Sequence, residues 1–174
     1  MADQENNRPY TVVVGVSATS KSRSALAWAQ SQAQHYGGQL VAIRAWRMPY
    51  PQTIPSGSPD VDLPKPAEVE ARARKVLEAD VAEVLGENHG AEIRLIRGGK
   101  RKVLLKASAE ADLLVLDAPQ QAFAGPAFAH RLVYAASCPV VAMPGPAANA
   151  RAARSADRGQ EAVGATSEYP TMRL

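Results

Sequence analysis

Short apolar runs alternate with stretches of helical periodicity along almost the whole of this chain. The first run, Tyr10 to Val16 (YTVVVGV), is rich in β-branched residues and lacks polar alternation, which predicts a strand buried on both faces. Ser17 to Ser20 then offers capping side chains, and Ser22 to Tyr36 carries Ala25, Leu26, Ala29 and Ala33 at helical spacing until Gly37 and Gly38 end it. Gln39 to Trp46 predicts a second strand, with Arg44 marking where the buried run reaches the surface. Arg47 to Pro66 holds Pro49, Pro51, Pro55, Pro59, Pro64 and Pro66, so it is expected to be an extended or mobile loop. Ala67 to Glu87 brings Val69, Ala73, Val76, Leu77, Val81, Val84 and Leu85 onto one helical stripe. Ala91 to Arg97 alternates Ile93 and Leu95 with charged residues, as an edge strand with one wet face does. Lys100 to Glu110 is expected to be a short helix around Val103, Leu104 and Ala107.

The stretch from Leu113 to Met143 organises the rest. Leu113 to Leu116 is a continuous apolar run, Asp117, Pro119 and Gly125 punctuate a turn, and Pro126 suits a first helical position. Phe128, Leu132, Val133 and Ala136 give a helical stripe, and Pro139 to Met143 reads as a closing strand. Strand and helix thus alternate through five strands. That order demands a parallel sheet with helices on both faces, a Rossmann-like three-layer α/β sandwich whose loops after the strands border a ligand crevice.

Composition narrows the picture further. With 174 residues, 46% of them hydrophobic, the chain can bury one ordinary core. The expected division is an N-terminal arm over 1–9, a domain over 10–146, and a disordered tail over 147–174, where large apolar residues almost vanish. No run is long enough to cross a bilayer and the amino terminus lacks a signal-peptide pattern, so a cytoplasmic protein without membrane partners is expected. Cys138 is the only cysteine, which excludes an internal disulfide and a cysteine-rich zinc site. His35, His89 and His130 have no ligand spacing, so no metal is expected. A formal charge of +3 is too mild to announce a nucleic-acid protein.

Candidate chemistry is sparse. In RGGKRK, Arg97 to Lys102, the cations Lys100, Arg101 and Lys102 crowd a helix amino end, where the macrodipole disfavours them and an anion would relieve the conflict. A solvated basic turn explains the same residues and is preferred. Asp117 stands at a strand end like a phosphoacceptor, yet Ser17 and Ala18 occupy the places where magnesium-holding acids would be needed. No G-x-S-x-G elbow exists, and Cys138 has no base placed by motif beside it, so no catalytic residue is expected.

Three pieces in order resemble the universal stress protein family: VVVGVSATSKSRSALAWAQSQAQHYGGQLVAIRAW, RGGKRKVLLKASAEADLLVL and SCPVVAM, within a span from Tyr10 to Pro144. The resemblance implies strand order 3-2-1-4-5 and a homodimer. Its nucleotide-binding branch carries G-x2-G-x9-G-[ST] after the fourth strand, where small residues let backbone amides approach phosphates. Here Asp117 and Gln120 stand at the first two glycines, and Pro126 and Ala127 stand at the final pair. Ser17 replaces the family's acidic residue after the first strand, while Gly98 in the turn after the third keeps its type.

The resemblance therefore implies the fold with a degenerate nucleotide site. The expected function is a non-enzymatic, dimeric stress-response module, for binding or scaffolding, that takes no ATP or other cofactor and works with an unknown protein partner. The alternative is an ATP-binding or weakly ATP-hydrolysing switch with a divergent phosphate loop. Pro139 to Met143 carries no charge to blunt an exposed edge, so the dimer is expected to form through that strand.

Overall fold

The computed structural model describes residues 8–48, 65–117 and 127–144. The elements run β1 (Thr11–Gly15), α1 (Arg23–His35), β2 (Gln39–Trp46), α2 (Pro66–Leu85), β3 (Glu92–Arg97), α3 (Lys100–Ser108), β4 (Leu113–Asp117), α4 (Ala127–Val133) and β5 (Val140–Met143). All the described strands are parallel in one sheet ordered β3-β2-β1-β4-β5, so the Rossmann-like sandwich and the implied strand order both hold. The chain divides after Met143, and every described element lies in the unit Met1–Met143. The expected tail and most of the proline-rich loop lie outside the described residues.

The parity of each strand decides the layers. Val12, Val14, Leu40, Ala42, Leu113 and Val115 face one way and pack with Ala25, Leu26, Ala29 and Ala33 of α1 and Leu77 and Val81 of α2. Val13, Val41, Ile43, Leu114 and Leu116 face the other way, against Val103, Leu104 and Ala107 of α3 and Leu132 of α4. The apolar runs of β1, β2 and β4 follow from this double burial, since a central strand between two helical layers has no wet face. Alanines on the inner side of α1 let it lie close to the sheet. At the opposite end from the crevice, Gly38 presses against the carbonyl of Tyr10, which accepts a hydrogen bond from Gln39 N–H at 2.8 Å. A β-carbon at Gly38 would stand 2.9 Å from that of Tyr10, so only glycine lets the chain enter β2 in this register.

Some local expectations are corrected. Arg44 does not reach the surface: it is buried, because Asp80 of α2 meets it inside the layer. Val133 and Val76 sit on the predicted apolar stripes yet are exposed, and α4 ends at Val133 instead of continuing to Ala136. No serine side chain caps α1 from its own N-cap position, for a reason that lies in the crevice.

Candidate functional site

The carboxyl ends of β1, β2, β3 and β4 meet at one edge of the sheet, where open α/β folds hold their ligands. The loop after β1 covers the centre of this edge. Val16 N–H closes on Ile43 carbonyl at 2.8 Å, after which Ser17 to Ser22 turn sharply into α1. Lys21 and Ser22 both adopt left-handed backbone angles, with φ of 54° and 50°. Such angles are uncommon outside glycine and persist where surrounding groups hold them. Ser22 is one such group: its hydroxyl accepts from Ser17 N–H at 2.9 Å and donates to Gly15 carbonyl at 3.3 Å. Ser17 Oγ in turn accepts from Thr19 N–H at 3.2 Å and lies 2.9 Å from Thr19 Oγ1.

Asp117, the last residue of β4, reaches this loop. Its Oδ1 accepts from the backbone N–H of Ala25 in the first turn of α1, and its Oδ2 accepts from the Ser20 hydroxyl, each at 3.3 Å. A carboxylate from the neighbouring strand therefore supplies the cap that no local serine gives, at the helix end where the macrodipole favours a negative charge. Burial pushes the Asp117 carboxyl above the usual aspartate range, and the bonds from Ala25 and the nearby serines pull it only part of the way back.

A raised pKa in the folded state means that the charged form is disfavoured there. The stability that protonation supports is full below the unfolded-state value and is lost as pH rises through the folded value. Asp117→Asn keeps an acceptor for Ala25 and carries no charge, so it should be somewhat more stable than wild type near neutrality. The gain should fade on acidification and vanish below the ordinary aspartate range, at about pH 4. Urea titrations across that range read it directly; a difference independent of pH would mean that Asp117 is not penalised by burial.

Arg44 lies beneath the same loop. It donates to Val16 carbonyl at 3.4 Å, to Ser17 carbonyl at 3.3 Å and to Asp80 Oδ2 at 2.6 Å. Lys21 reaches over from the loop to Asp80 at 3.6 Å and to Glu83 at 2.7 Å, and Arg23 also pairs with Glu83. On the far side, Gly98 N–H donates to Trp46 carbonyl at 2.9 Å, joining the ends of β2 and β3. The guanidinium of Arg97 stands 5.8 Å from the Trp46 ring centroid, and that of Arg47 lies against Gly99. Lys100, Arg101 and Lys102 form the exposed first turn of α3, which has neither a side-chain cap nor an acidic residue.

Of the residues singled out in the sequence, Ser17 and Asp117 are brought to one loop, and Gly98 with the basic turn lies at the β3 end. No hydrogen bond or ion pair among the described residues joins the two groups. Gln120 and Pro126 lie outside the described residues, and Ala127 opens α4 with its side chain likewise outside them. The Arg44–Asp80 pair and the role of Ser22 were not foreseen, and Ser20 was expected only as a cap for α1. The pair had signals: an arginine inside an apolar run, and Asp80 three residues after Leu77 on an apolar helical stripe. Among the described residues no group of His, Cys, Asp and Glu could hold a metal ion. Burial pushes the Cys138 thiol up, away from the reactive thiolate.

The pattern of the universal stress protein family matches residues 10–144, a span that holds every described strand and helix. The chain belongs to the universal stress protein family. A family protein from Burkholderia pseudomallei has a similar structure at 22% identity and a TM-score of 0.55, covering 80% of this chain and 99% of its own. A universal stress protein from Archaeoglobus fulgidus in complex with dAMP is similar at 17% identity and a TM-score of 0.53, covering 76% of this chain and 96% of its own. An Arabidopsis thaliana family protein with AMP bound follows at 16% identity and a TM-score of 0.52, over 78% and 92% of the two chains. At such identities the likeness speaks for the fold. No curated protein matches this sequence. No helix among the described residues is long and apolar enough to cross a membrane.

Proposed function

We propose that this universal stress protein is a non-enzymatic, dimeric binding or scaffold module of the stress response, working in the cytoplasm, whose crevice does not take adenine nucleotides with useful affinity. The observation that supports it best is Asp117: a carboxylate already caps the amino end of α1 and lies where the family's phosphate loop begins. A phosphate brought to about 5 Å from that carboxylate meets a repulsion on the order of 3 kcal/mol at an effective dielectric near 20, less where water screens it. Pro126 has no N–H to offer and Ala127 no hydroxyl, and each charge-assisted bond lost is worth about 1.5–3 kcal/mol. Even a combined loss of about 3 kcal/mol weakens binding roughly a hundredfold.

The relatives with dAMP and AMP favour the other reading, a nucleotide-dependent switch that uses a divergent loop. Calorimetry separates the two. With AMP, and with ATP and magnesium, no saturable heat is expected at micromolar protein. A dissociation constant tighter than about 10 μM, abolished by Ser17→Trp, would replace the scaffold by the switch.

A further inference from the structure

We propose that the buried Arg44–Asp80 pair is a latch that sets the conformation of the β1–α1 loop, so that the mouth of the crevice is shaped from inside the chain and needs no ligand to order it. The inference rests on the reading that nucleotides do not occupy the crevice. Each side chain of the pair is only 7% exposed, and together they tie three elements. Arg44 comes from β2, Asp80 from α2, and the carbonyls that Arg44 binds belong to Val16 and Ser17, where the loop begins. Asp80 Oδ1 faces Lys21 of the loop at 3.6 Å, so one carboxylate bridges the arginine below and the lysine above.

The backbone supplies a separate observation at the same place. Lys21 and Ser22 are the only non-glycine residues with positive φ among those described, and they stand side by side. Consecutive left-handed residues relax unless neighbouring contacts hold them. Here the holding contacts are the Ser22 hydroxyl at the loop's end and the Arg44–Asp80–Lys21 chain along its flank. An arrangement meant only to fill the layer between β2 and α2 would not need two loop carbonyls and a loop ammonium as partners. Apolar side chains of similar volume commonly replace a buried pair without loss of folding.

The test is amide hydrogen exchange on the whole chain, comparing wild type with the double variant Arg44→Met/Asp80→Leu. No nucleotide is added, so the outcome is independent of whether the crevice can bind one. Calorimetry answers that question separately. The amides of Ser17, Thr19 and Lys21 should exchange at least about tenfold faster in the variant, while those of Val13, Val41 and Leu114 in the central strands change by less than about threefold. Acceleration by one common factor throughout the sheet and loop would show that the pair serves global stability alone, and would overturn the latch. Unchanged loop amides would overturn it too, by showing that the serine hydroxyls suffice. Should the double variant fail to fold, Asp80→Asn, which keeps an acceptor for Arg44 and removes the charge facing Lys21, is read by the same comparison.

Discussion

Asp80→Ala should lower the unfolding free energy by about 3–5 kcal/mol, because it strands a guanidinium inside the layer between β2 and α2. In the intact protein Asp80 answers Arg44 at 2.6 Å and both side chains are almost wholly removed from water. Desolvating two charges is costly, and their attraction does little more than offset that cost. The pair is therefore worth far less than the penalty for breaking it. Alanine removes the acceptor and leaves Arg44 with the carbonyls of Val16 and Ser17, which carry no compensating charge. For a domain of this size the loss corresponds to a fall of about 10–15 °C in Tm, read by a thermal melt and a urea titration. A fall of less than about 3 °C would mean that Arg44 swings out to solvent and that the layer closes behind it.

The same pair shows where sequence reasoning stops. The strands were legible because a centre flanked by two helical layers demands apolar runs, and β1 and β4 have them unbroken while β2 is interrupted by Arg44. The stripe of α2 was legible for the same reason. Arg44 was misread because a single charge inside such a run ordinarily marks the end of burial; here burial continues because Asp80 arrives from the next helix. Pattern along one element cannot see that. The cap of α1 failed in the same way: serines precede the helix, but the carboxylate that accepts Ala25 N–H comes from β4, far along the chain. Positions in the candidate site could thus be named from the sequence, as with Ser17 and Asp117, while their contacts could not. Val133 and Val76 show the converse, since an apolar residue can sit on a helical stripe at its outer margin and remain exposed.

Ala142→Pro is expected to turn a dimer into a monomer, which would place the subunit contact at the free edge of β5. Among the described residues the sheet ends there: β5 pairs only with β4. Pro139 carbonyl accepts from Leu114 N–H at 2.9 Å. By the alternation of a parallel ladder, the N–H and C=O groups of Val140 and Ala142 therefore face the open side. VVAM carries no charge to discourage pairing, and a twofold axis would set two such edges antiparallel. The end of α4 also leaves Val133 55% exposed, and Tyr134 just after it is 78% exposed, apolar surface close in sequence to the same edge. Val141 is the less informative position for a test, since its side chain packs into the inner cluster and a charge there would disturb the fold itself. Ala142 is exposed, and proline at an edge position removes only an outward donor. Losing that donor in each of two copies costs about 1–3 kcal/mol, a weakening of roughly 5- to 150-fold before any collision of the rings is counted. Sedimentation equilibrium should find twice the 18.5 kDa chain mass for wild type and the single mass for the variant. A variant that stays dimeric, with its melt unchanged, would move the interface away from β5.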